Sequence, residues 1–224
     1  MASTPSMSGP KRQLFTAFAA VARALGHPHR LDLLEHLAQG EKPVETLAAK
    51  TDLSFANASQ HLQALRHAGL VEGERRGKQV VYRLASVDVL DLLAALRIVA
   101  ERHAAGARQV VAEYFRARDD LEAVGFEELR RRMADGVVTV LDVRPPDEFA
   151  QGHLPGAMNI PLTELRAELG SLPQDRDVVA YCRGPWCVLA YEAVALLRST
   201  GRRAYRMDGG LPEWRRAGLA VATA

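Results

Sequence analysis

The chain has 224 residues and a mass of 24.5 kDa, with 48% hydrophobic and 25% charged residues, which is typical of a globular protein with one or two domains and excludes a mostly disordered chain. No apolar run approaches the ~18 residues of a membrane helix, and residues 1–10 lack the apolar core of a signal peptide. We therefore expect a cytoplasmic protein with no membrane partner and a flexible tail over residues 1–10.

The net charge of +2 conceals a difference between the two halves of the chain. Residues 1–118 contain 16 Lys and Arg against 11 Asp and Glu, a net charge of +5, whereas residues 119–224 contain 13 against 16, a net charge of −3. Six of the seven histidines also lie in the first half. This asymmetry indicates two domains, residues 11–118 and 119–224, of which the first suits a polyanion.

The first half predicts a mainly α winged helix-turn-helix domain. Apolar residues at helical spacing predict helices over residues 11–25, 28–40, 44–50 and 55–69. Pro28 suits the first turn of the second helix, and Ser54 is a good N-cap for the fourth. The remaining elements are strands over residues 70–72 and 80–84, a basic turn over residues 74–78 between them, and a long helix over residues 87–118.

Short polar side chains on the fourth helix can reach base edges in a DNA major groove, and basic residues at the hairpin can neutralise phosphates. The candidate groove contacts are Ser54, Asn57, Ser59, Gln60 and His61. The candidate phosphate contacts are Arg75, Arg76 and Lys78.

Three segments of this half, in this order and spacing, resemble the ArsR/SmtB family of repressors. They are LGHPHRLDLL over residues 25–34, VETLA over residues 44–48 and SQHLQALRHAGLV over residues 59–71. The resemblance covers about residues 14–100. It implies a homodimer built from the first and last helices of the domain, which would bind double-stranded DNA at a palindromic operator.

Many members of this family sense metal ions, but this chain offers few ligands for one. The third helix, residues 44–50, has no cysteine, so a thiolate site there is excluded. Four residues of the long helix have suitable ligand atoms at a spacing that does not match the family's site: Asp88, Asp91, Glu101 and His103. We therefore expect no metal site and no cofactor, and an input signal that comes from elsewhere in the chain.

The second half alternates strands with helices, which predicts an α/β domain with a central parallel sheet. Residues 137–143 and 178–181 are continuous apolar strands of the kind buried in parallel sheets. Shorter strands are predicted over residues 157–160 and 204–207. The predicted helices cover residues 126–133, a short segment near residue 148, and residues 162–169, 188–198 and 211–217.

Four separated segments of this half resemble the rhodanese family, over about residues 119–221. They are LDVR over residues 141–144, GHLPGAMNIP over residues 152–161, YCRG over residues 181–184 and DGG over residues 208–210, followed by Trp214. The resemblance implies that Cys182 takes a sulfane sulfur from a donor and passes it to a thiol acceptor. Arg183 adds a positive charge beside Cys182.

Cys182 follows a strand and precedes a helix, where backbone N–H groups and the helix dipole lower a thiol pKa below its free value of ~8.5. We therefore expect Cys182 to be unusually anionic. Other residues are predicted to support the loops around it rather than to do chemistry: Asp142, Arg144, Glu148, Gly184 and Trp186.

The loop departs from the rhodanese pattern at Cys187, because the resemblance implies an arginine at that position. Pro185 also removes one backbone N–H group from the loop. The lost arginine weakens the expectation of efficient thiosulfate turnover. A second thiol allows another outcome, since Cys187 can attack a persulfide on Cys182 and form a disulfide.

The sequence thus predicts a dimeric transcriptional regulator, a repressor, whose rhodanese-like domain senses or handles reactive sulfur at Cys182 and Cys187. Two alternatives remain open. The chain could be a thiosulfate or persulfide sulfurtransferase with a DNA-binding module. It could also be a repressor that responds to arsenite or another soft metal ion, for which two sulfurs alone are an incomplete site.

Overall fold

The computed structural model describes residues 9–117 and 123–223, which form two compact units that divide between Val89 and Leu90. The predicted tail over residues 1–10 lies mostly outside the described residues, and Pro10 already begins the first helix. The predicted domain boundary after residue 118 also lies outside them. The units instead divide at the start of the long helical segment, so most of that segment belongs to the second unit.

The helices of the first unit begin and end within about two residues of the predicted positions. They are α1 (Pro10–Leu25), α2 (Pro28–Ala38), α3 (Val44–Lys50) and α4 (Phe55–His67). Capping explains the start of α4, because the Ser54 hydroxyl accepts a hydrogen bond from the Asn57 amide at 3.3 Å. Fully buried leucines of α2, α3 and α4 form the core of this unit: Leu33, Leu34, Leu47, Leu62 and Leu65.

An antiparallel hairpin follows α4. Strands β2 (Val71–Arg76) and β3 (Gln79–Leu84) are longer than predicted, and the turn between them consists of Gly77 and Lys78 alone. A φ of +64° at Gly77 suits this tight turn, since glycine adopts positive φ without strain. A short strand, β1 (Lys42–Pro43), pairs with β3 on the other side. The sequence does not predict β1, because two residues leave no alternating pattern.

The predicted continuous helix over residues 87–118 is wrong. Helix α5 (Asp88–His103) ends before Ala104, an extended residue with φ −86° and ψ 117°. Helix α6 (Ala105–Val110) follows and continues into a π-helical turn (Val111–Arg116).

Two local features favour the interruption. Gly106 lies just after it, and glycine disfavours a helix by about 1 kcal/mol relative to alanine. The Arg108 guanidinium donates to the Arg102 carbonyl oxygen at 2.8 Å and so satisfies a carbonyl group at the end of α5.

The second unit has the predicted α/β fold. Its strands are β4 (Val138–Asp142), β5 (Met158–Asn159), β6 (Asp177–Cys182) and β7 (Ala204–Gly210). Its further helices are α7 (Phe126–Ala134), α8 (Pro146–Ala150), α9 (Leu162–Leu165), α10 (Val188–Ser199) and α11 (Leu211–Arg216). The sheet has the order β5-β4-β6-β7, and all neighbouring strands are parallel. Asp142, Cys182 and Gly210 each end a strand and therefore lie at one edge of the sheet.

Apolar side chains alternate between the two faces of this sheet, and both faces are buried. On one face, Val178, Ala180 and Cys182 pack with residues of α10 such as Val194. On the other face, Val179 and Tyr181 pack in a second cluster with residues of α7 and α11. Burial on both faces explains the continuous apolar runs of β4 and β6.

Candidate functional site

The two cysteines lie at the ends of one loop, residues 182–187, which we name the cysteine loop. Cys182 has no exposed surface, and Cys187, the residue before α10, is 7% exposed. Both are thiols. The Cys182 thiol donates to the Cys187 carbonyl oxygen at 3.5 Å, and its sulfur lies 3.9 Å from the Gly184 carbonyl oxygen. The structure therefore brings the two predicted thiols together in one buried cluster.

The prediction that Cys182 is unusually anionic is wrong for this closed loop. Burial raises the pKa of the Cys182 thiol well above its usual range, and the adjacent Cys187 side chain raises it further. Backbone hydrogen bonds with Gly184 and Ala190 lower the pKa, but by less. Desolvation thus outweighs the N–H groups that the loop supplies. The raised pKa keeps the Cys182 thiol protonated at neutral pH, and the side chain has no exposed surface.

Arg183 binds a carboxylate at this edge of the sheet. Its Nε and Nη2 atoms donate to the two carboxylate oxygens of Glu148, each at 2.9 Å. Glu148 is fully buried in α8, so this bidentate pair ties the cysteine loop to that helix. The charge of Arg183 is therefore compensated by Glu148, and its predicted role at the sulfur stays a prediction.

A second ion pair, Asp142 with Arg144, is fully buried at the end of β4. The Arg144 Nε atom lies 3.0 Å from one carboxylate oxygen, and Nη2 lies 2.5 Å from the other. Nη2 also donates to the Gly152 carbonyl oxygen at 2.8 Å. The Tyr181 hydroxyl accepts from the Leu154 amide at 3.0 Å. These bonds hold the segment after β4 against β4 and β6.

The end of β7 packs directly on the cysteine loop. A Cβ atom added to Gly210 would lie 2.4 Å from the Gly184 amide nitrogen and 2.6 Å from the Cys182 carbonyl oxygen. The Gly210 amide donates to a carboxylate oxygen of Glu213 at 2.9 Å. The backbone of β7 and the carboxylate of Glu213 therefore support the loop from this side.

Trp186 is half-buried in the same loop and contacts residues of α5 and of the π-helical turn. Its indole N–H donates to the Glu101 carboxylate. Its ring centroid lies 4.9 Å from that of Phe115 and 6.2 Å from that of Tyr191, on which it stacks at 13°. The sequence suggests Glu101 only as a metal ligand and does not single out Phe115. No motif connects positions so far apart in the chain.

The predicted groove contacts lie on α4 and at its N-cap. Ser54, Asn57 and Gln60 are exposed, whereas Ser59 and His61 are half-buried. The exposed side chains form a polar surface of the kind that reaches base edges. Contact with DNA stays a prediction for all five.

His61 belongs to a cluster of three imidazole rings. Its ring centroid lies 4.4 Å from that of His27 and 5.9 Å from that of His29, and these two are 5.4 Å apart. Desolvation lowers the pKa of His61, and the charges of His27, Arg30 and His29 lower it further. His61 is therefore neutral at pH 7, so its ring nitrogens can both donate and accept a hydrogen bond.

The three predicted phosphate contacts of the hairpin differ in their partners. The Arg76 guanidinium binds the carboxylates of Glu41 and Glu74, which raises the pKa of Arg76 and lowers the pKa of Glu41. Arg75 and Lys78 are exposed, Lys78 in the turn itself. Lys78 in the turn is therefore better suited than Arg76 to contact a phosphate.

Residues 9–117 and 123–223 contain no group of three or more His, Cys, Asp and Glu side chains that could hold a metal ion. Three of the suggested ligands on the long helix have other partners, and one of them, Asp88, accepts a hydrogen bond from the Ser86 hydroxyl at 3.0 Å. Asp91 pairs with Arg216 at 2.9 Å, and Glu101 accepts the Trp186 indole N–H. No helix in these same ranges is long and apolar enough to cross a membrane.

A winged helix-turn-helix and a parallel α/β unit with a cysteine at a strand end define a DNA-binding regulator joined to a rhodanese-like domain. Family models match both parts, a helix-turn-helix domain over residues 25–74 and a rhodanese-like domain over residues 125–217. The chain is 45% identical over 214 residues to the HTH-type transcriptional regulator Rv0324 of Mycobacterium tuberculosis, across 96% of this chain and 94% of that protein. The chain belongs to the ArsR/SmtB family of transcriptional regulators, as a member with a C-terminal rhodanese-like domain. The predicted fold class is confirmed.

Two further comparisons concern one domain each. A sulfurtransferase of Allochromatium vinosum is 38% identical over 97 residues, which cover 42% of this chain and 89% of that protein. A solved structure, the homodimeric winged helix-turn-helix DNA-binding domain (fragment 1–100) of Mb0332 from Mycobacterium bovis, is 41% identical. It covers 46% of this chain and 94% of its own, with a TM-score of 0.41.

Proposed function

We propose that this transcriptional regulator is a repressor whose operator affinity changes when reactive sulfur modifies Cys182 and Cys187. The observation that carries the proposal is the pairing of two buried thiols in one loop, with the Cys182 thiol 3.5 Å from the Cys187 carbonyl oxygen. In this proposal residues 11–118 bind DNA and dimerise, and residues 119–224 receive the sulfur signal.

The chemistry uses a sulfane-sulfur donor, such as hydrogen disulfide, as the oxidant. The Cys182 thiolate attacks one sulfur, the S–S bond of the donor breaks, and hydrosulfide leaves. The Cys187 thiolate then attacks Sγ of the Cys182 persulfide, whose S–S bond breaks to release a second hydrosulfide. Two thiols and one hydrogen disulfide thus become one protein disulfide and two molecules of hydrogen sulfide, so atoms and electrons balance.

The closed loop suits a sensor better than a catalyst with rapid turnover. Its nucleophile has no exposed surface, and burial raises the pKa of the Cys182 thiol. The nearby guanidinium of Arg183 is bound by Glu148. A single modification that keeps the loop open meets the needs of a switch, whereas repeated catalysis would need the loop to open in each cycle.

The second candidate function is sulfur transfer, which the likeness to a protein named sulfurtransferase favours. It predicts transfer from thiosulfate to cyanide that is lost in Cys182→Ser, without any change in operator affinity. A response to arsenite or another soft metal needs a third ligand, and the described ranges contain no group of three that could supply it.

We further propose that the DNA-binding form is a cytoplasmic homodimer. Helix α1 leaves three large apolar side chains more than half exposed, Leu14 at 52%, Phe15 at 53% and Phe18 at 58%. Helix α5 likewise leaves Val99 57% exposed. Such faces favour burial against a second copy, and a two-fold dimer would present two α4 helices to a palindromic site.

An operator titration tests the proposed function. DNA that binds the reduced protein is selected from a random pool, and its affinity is measured by gel shift before and after treatment with polysulfide. We expect about tenfold or greater loss of affinity, within the usual range of allosteric coupling. Reduction with a dithiol should restore binding.

Mass spectrometry of the peptide that contains residues 182–187 makes the result decisive. Wild type should lose two hydrogens as the disulfide forms, and Cys187→Ser should stop at a gain of one sulfur atom on Cys182. Cys182→Ser should remain unmodified and bound to DNA. Unchanged operator affinity in a fully modified wild-type protein would reject the sensing function.

A further inference from the structure

We propose that Trp186 transmits the state of the cysteine loop to helix α5, with Glu101 as the positioning residue that holds the indole while both thiols are reduced. The proposal rests on the proposed function, since it names how a change at Cys182 leaves the loop. It assigns a regulatory role to the contact between these two side chains.

The first contact between α5 and the loop is made by Trp186 itself. Its indole N–H donates to the Glu101 carboxylate, and its ring packs in one aromatic cluster with those of Phe115 and Tyr191. Trp186 is bonded directly to Cys187, so a movement of the Cys187 backbone must move the indole. The hydrogen bond to Glu101 therefore depends on the position of the second thiol.

The second contact reaches the loop through Glu213. Arg97, one helical turn before Glu101 in α5, lies 3.6 Å from the Glu101 carboxylate and 3.4 Å from the Glu213 carboxylate. Glu213 in turn accepts from the amide of Gly210, whose backbone packs on the loop. One turn of α5 is thus joined to both sides of the cysteine loop.

The loop has to move when Cys182 reacts. Its sulfur has no exposed surface, so a donor reaches it only after the loop opens. Cys182 is packed against residues of α10 in a buried cluster, where the interior has little free volume. A second sulfur on Cys182 therefore requires a new loop conformation, and Trp186 moves with it.

Helix α5 is suited to carry this change along the chain. It begins at Asp88, soon after strand β3 of the hairpin ends at Leu84. The helix that follows the hairpin of β2 and β3 is therefore the one that loses the Trp186 contact when the loop changes. Coupling between two sites requires an element that has two states and whose preference for one of them depends on the first site. Helix α5, with and without the Trp186 contact, is such an element.

Tryptophan fluorescence of the full chain reports the first step without DNA. The protein has two tryptophans, and Trp214 is 3% exposed in the core of the second unit. We expect polysulfide to shift the emission of wild type to longer wavelength as the Trp186 indole becomes exposed. Cys182→Ser should show no shift, and neither should Trp186→Phe, whose emission comes from Trp214 alone.

A matched pair of variants tests the second step. Glu101→Gln weakens the charged acceptor of the indole, whereas Glu113→Gln makes the same change at a side chain whose carboxylate accepts from Gln109 instead. When reduced, Glu113→Gln should bind the operator like wild type, whereas Glu101→Gln should already bind it more weakly, because the contact that holds the indole is weakened. Both variants should be modified to the same extent. After polysulfide, Glu113→Gln should lose operator affinity as wild type does, and Glu101→Gln should lose less than about threefold.

The outcomes separate this inference from the proposed function. If modified wild type keeps its operator affinity, the proposed function fails, and the fluorescence shift alone decides whether Trp186 moves. If wild type and Glu101→Gln respond equally, sensing stands and the role of Glu101 is wrong. Failure of Glu101→Gln to become modified would also overturn it, because we place Glu101 after the chemical step.

Discussion

Gly210 and Cys182 are paired residues at the ends of two neighbouring parallel strands, and their backbones are in close contact. A Cβ atom at Gly210 would lie 2.6 Å from the Cys182 carbonyl oxygen and 2.4 Å from the Gly184 amide nitrogen. Side-chain carbons do not approach backbone atoms so closely. The cysteine loop can therefore occupy this position only because residue 210 in the adjacent strand is a glycine.

Gly210→Ala should displace the cysteine loop. We expect a loss of about 1–3 kcal/mol in the free energy of unfolding, as for other overpacked sites, together with faster alkylation of Cys182. Urea unfolding and the rate of reaction with iodoacetamide measure the two effects. Gly170→Ala is the control, because its Cβ would meet no described atom within 4 Å. Equal behaviour of the two variants would contradict the close packing.

Asp142→Asn should strongly destabilise the protein. The change keeps the shape of the side chain but removes the charge that balances the fully buried Arg144. Breaking such a buried pair costs about 3–5 kcal/mol. Glu127→Gln, at a pair whose side chains are 86% and 53% exposed, should change stability little. Comparable urea midpoints for the two variants would show that the buried pair contributes no more than a surface one.

The raised pKa of the Cys182 thiol makes stability depend on pH. The folded state holds this proton more tightly than the unfolded state, so the stabilisation is complete below the unfolded thiol pKa of about 8.5. It is lost progressively as the pH rises above that value. Wild type should therefore lose more stability than Cys182→Ser between neutral and alkaline pH. Parallel pH profiles of the unfolding free energy would contradict the burial of this thiol.

The hairpin cations should differ in their effect on DNA binding. Lys78→Ala should reduce the slope of log affinity against log salt by about 1, since one phosphate contact is lost. Arg76→Ala should leave the slope nearly unchanged, because Glu41 and Glu74 already bind this guanidinium. Fluorescence anisotropy with a labelled operator at several salt concentrations measures both. A larger slope change for Arg76→Ala would reverse this assignment.

Features of the fold that depend on residues close together in the sequence could be predicted. Ser54 caps α4 through a bond to Asn57, three residues away, and the apolar runs of β4 and β6 reflect burial on both faces. The break at Ala104 is not visible in the pattern, because the apolar spacing continues beyond it. A preference of about 1 kcal/mol at Gly106 is too small to predict it.

The order of amino acids alone establishes that Cys182 and Cys187 share a loop, because four residues separate them between a strand and a helix. It does not establish their reactivity. Arg183 meets Glu148 across 35 positions of the chain, and Trp186 meets Glu101 across 85. Packing of the sheet and helices creates these contacts without a local signal, and a thiol is desolvated only when distant segments enclose it.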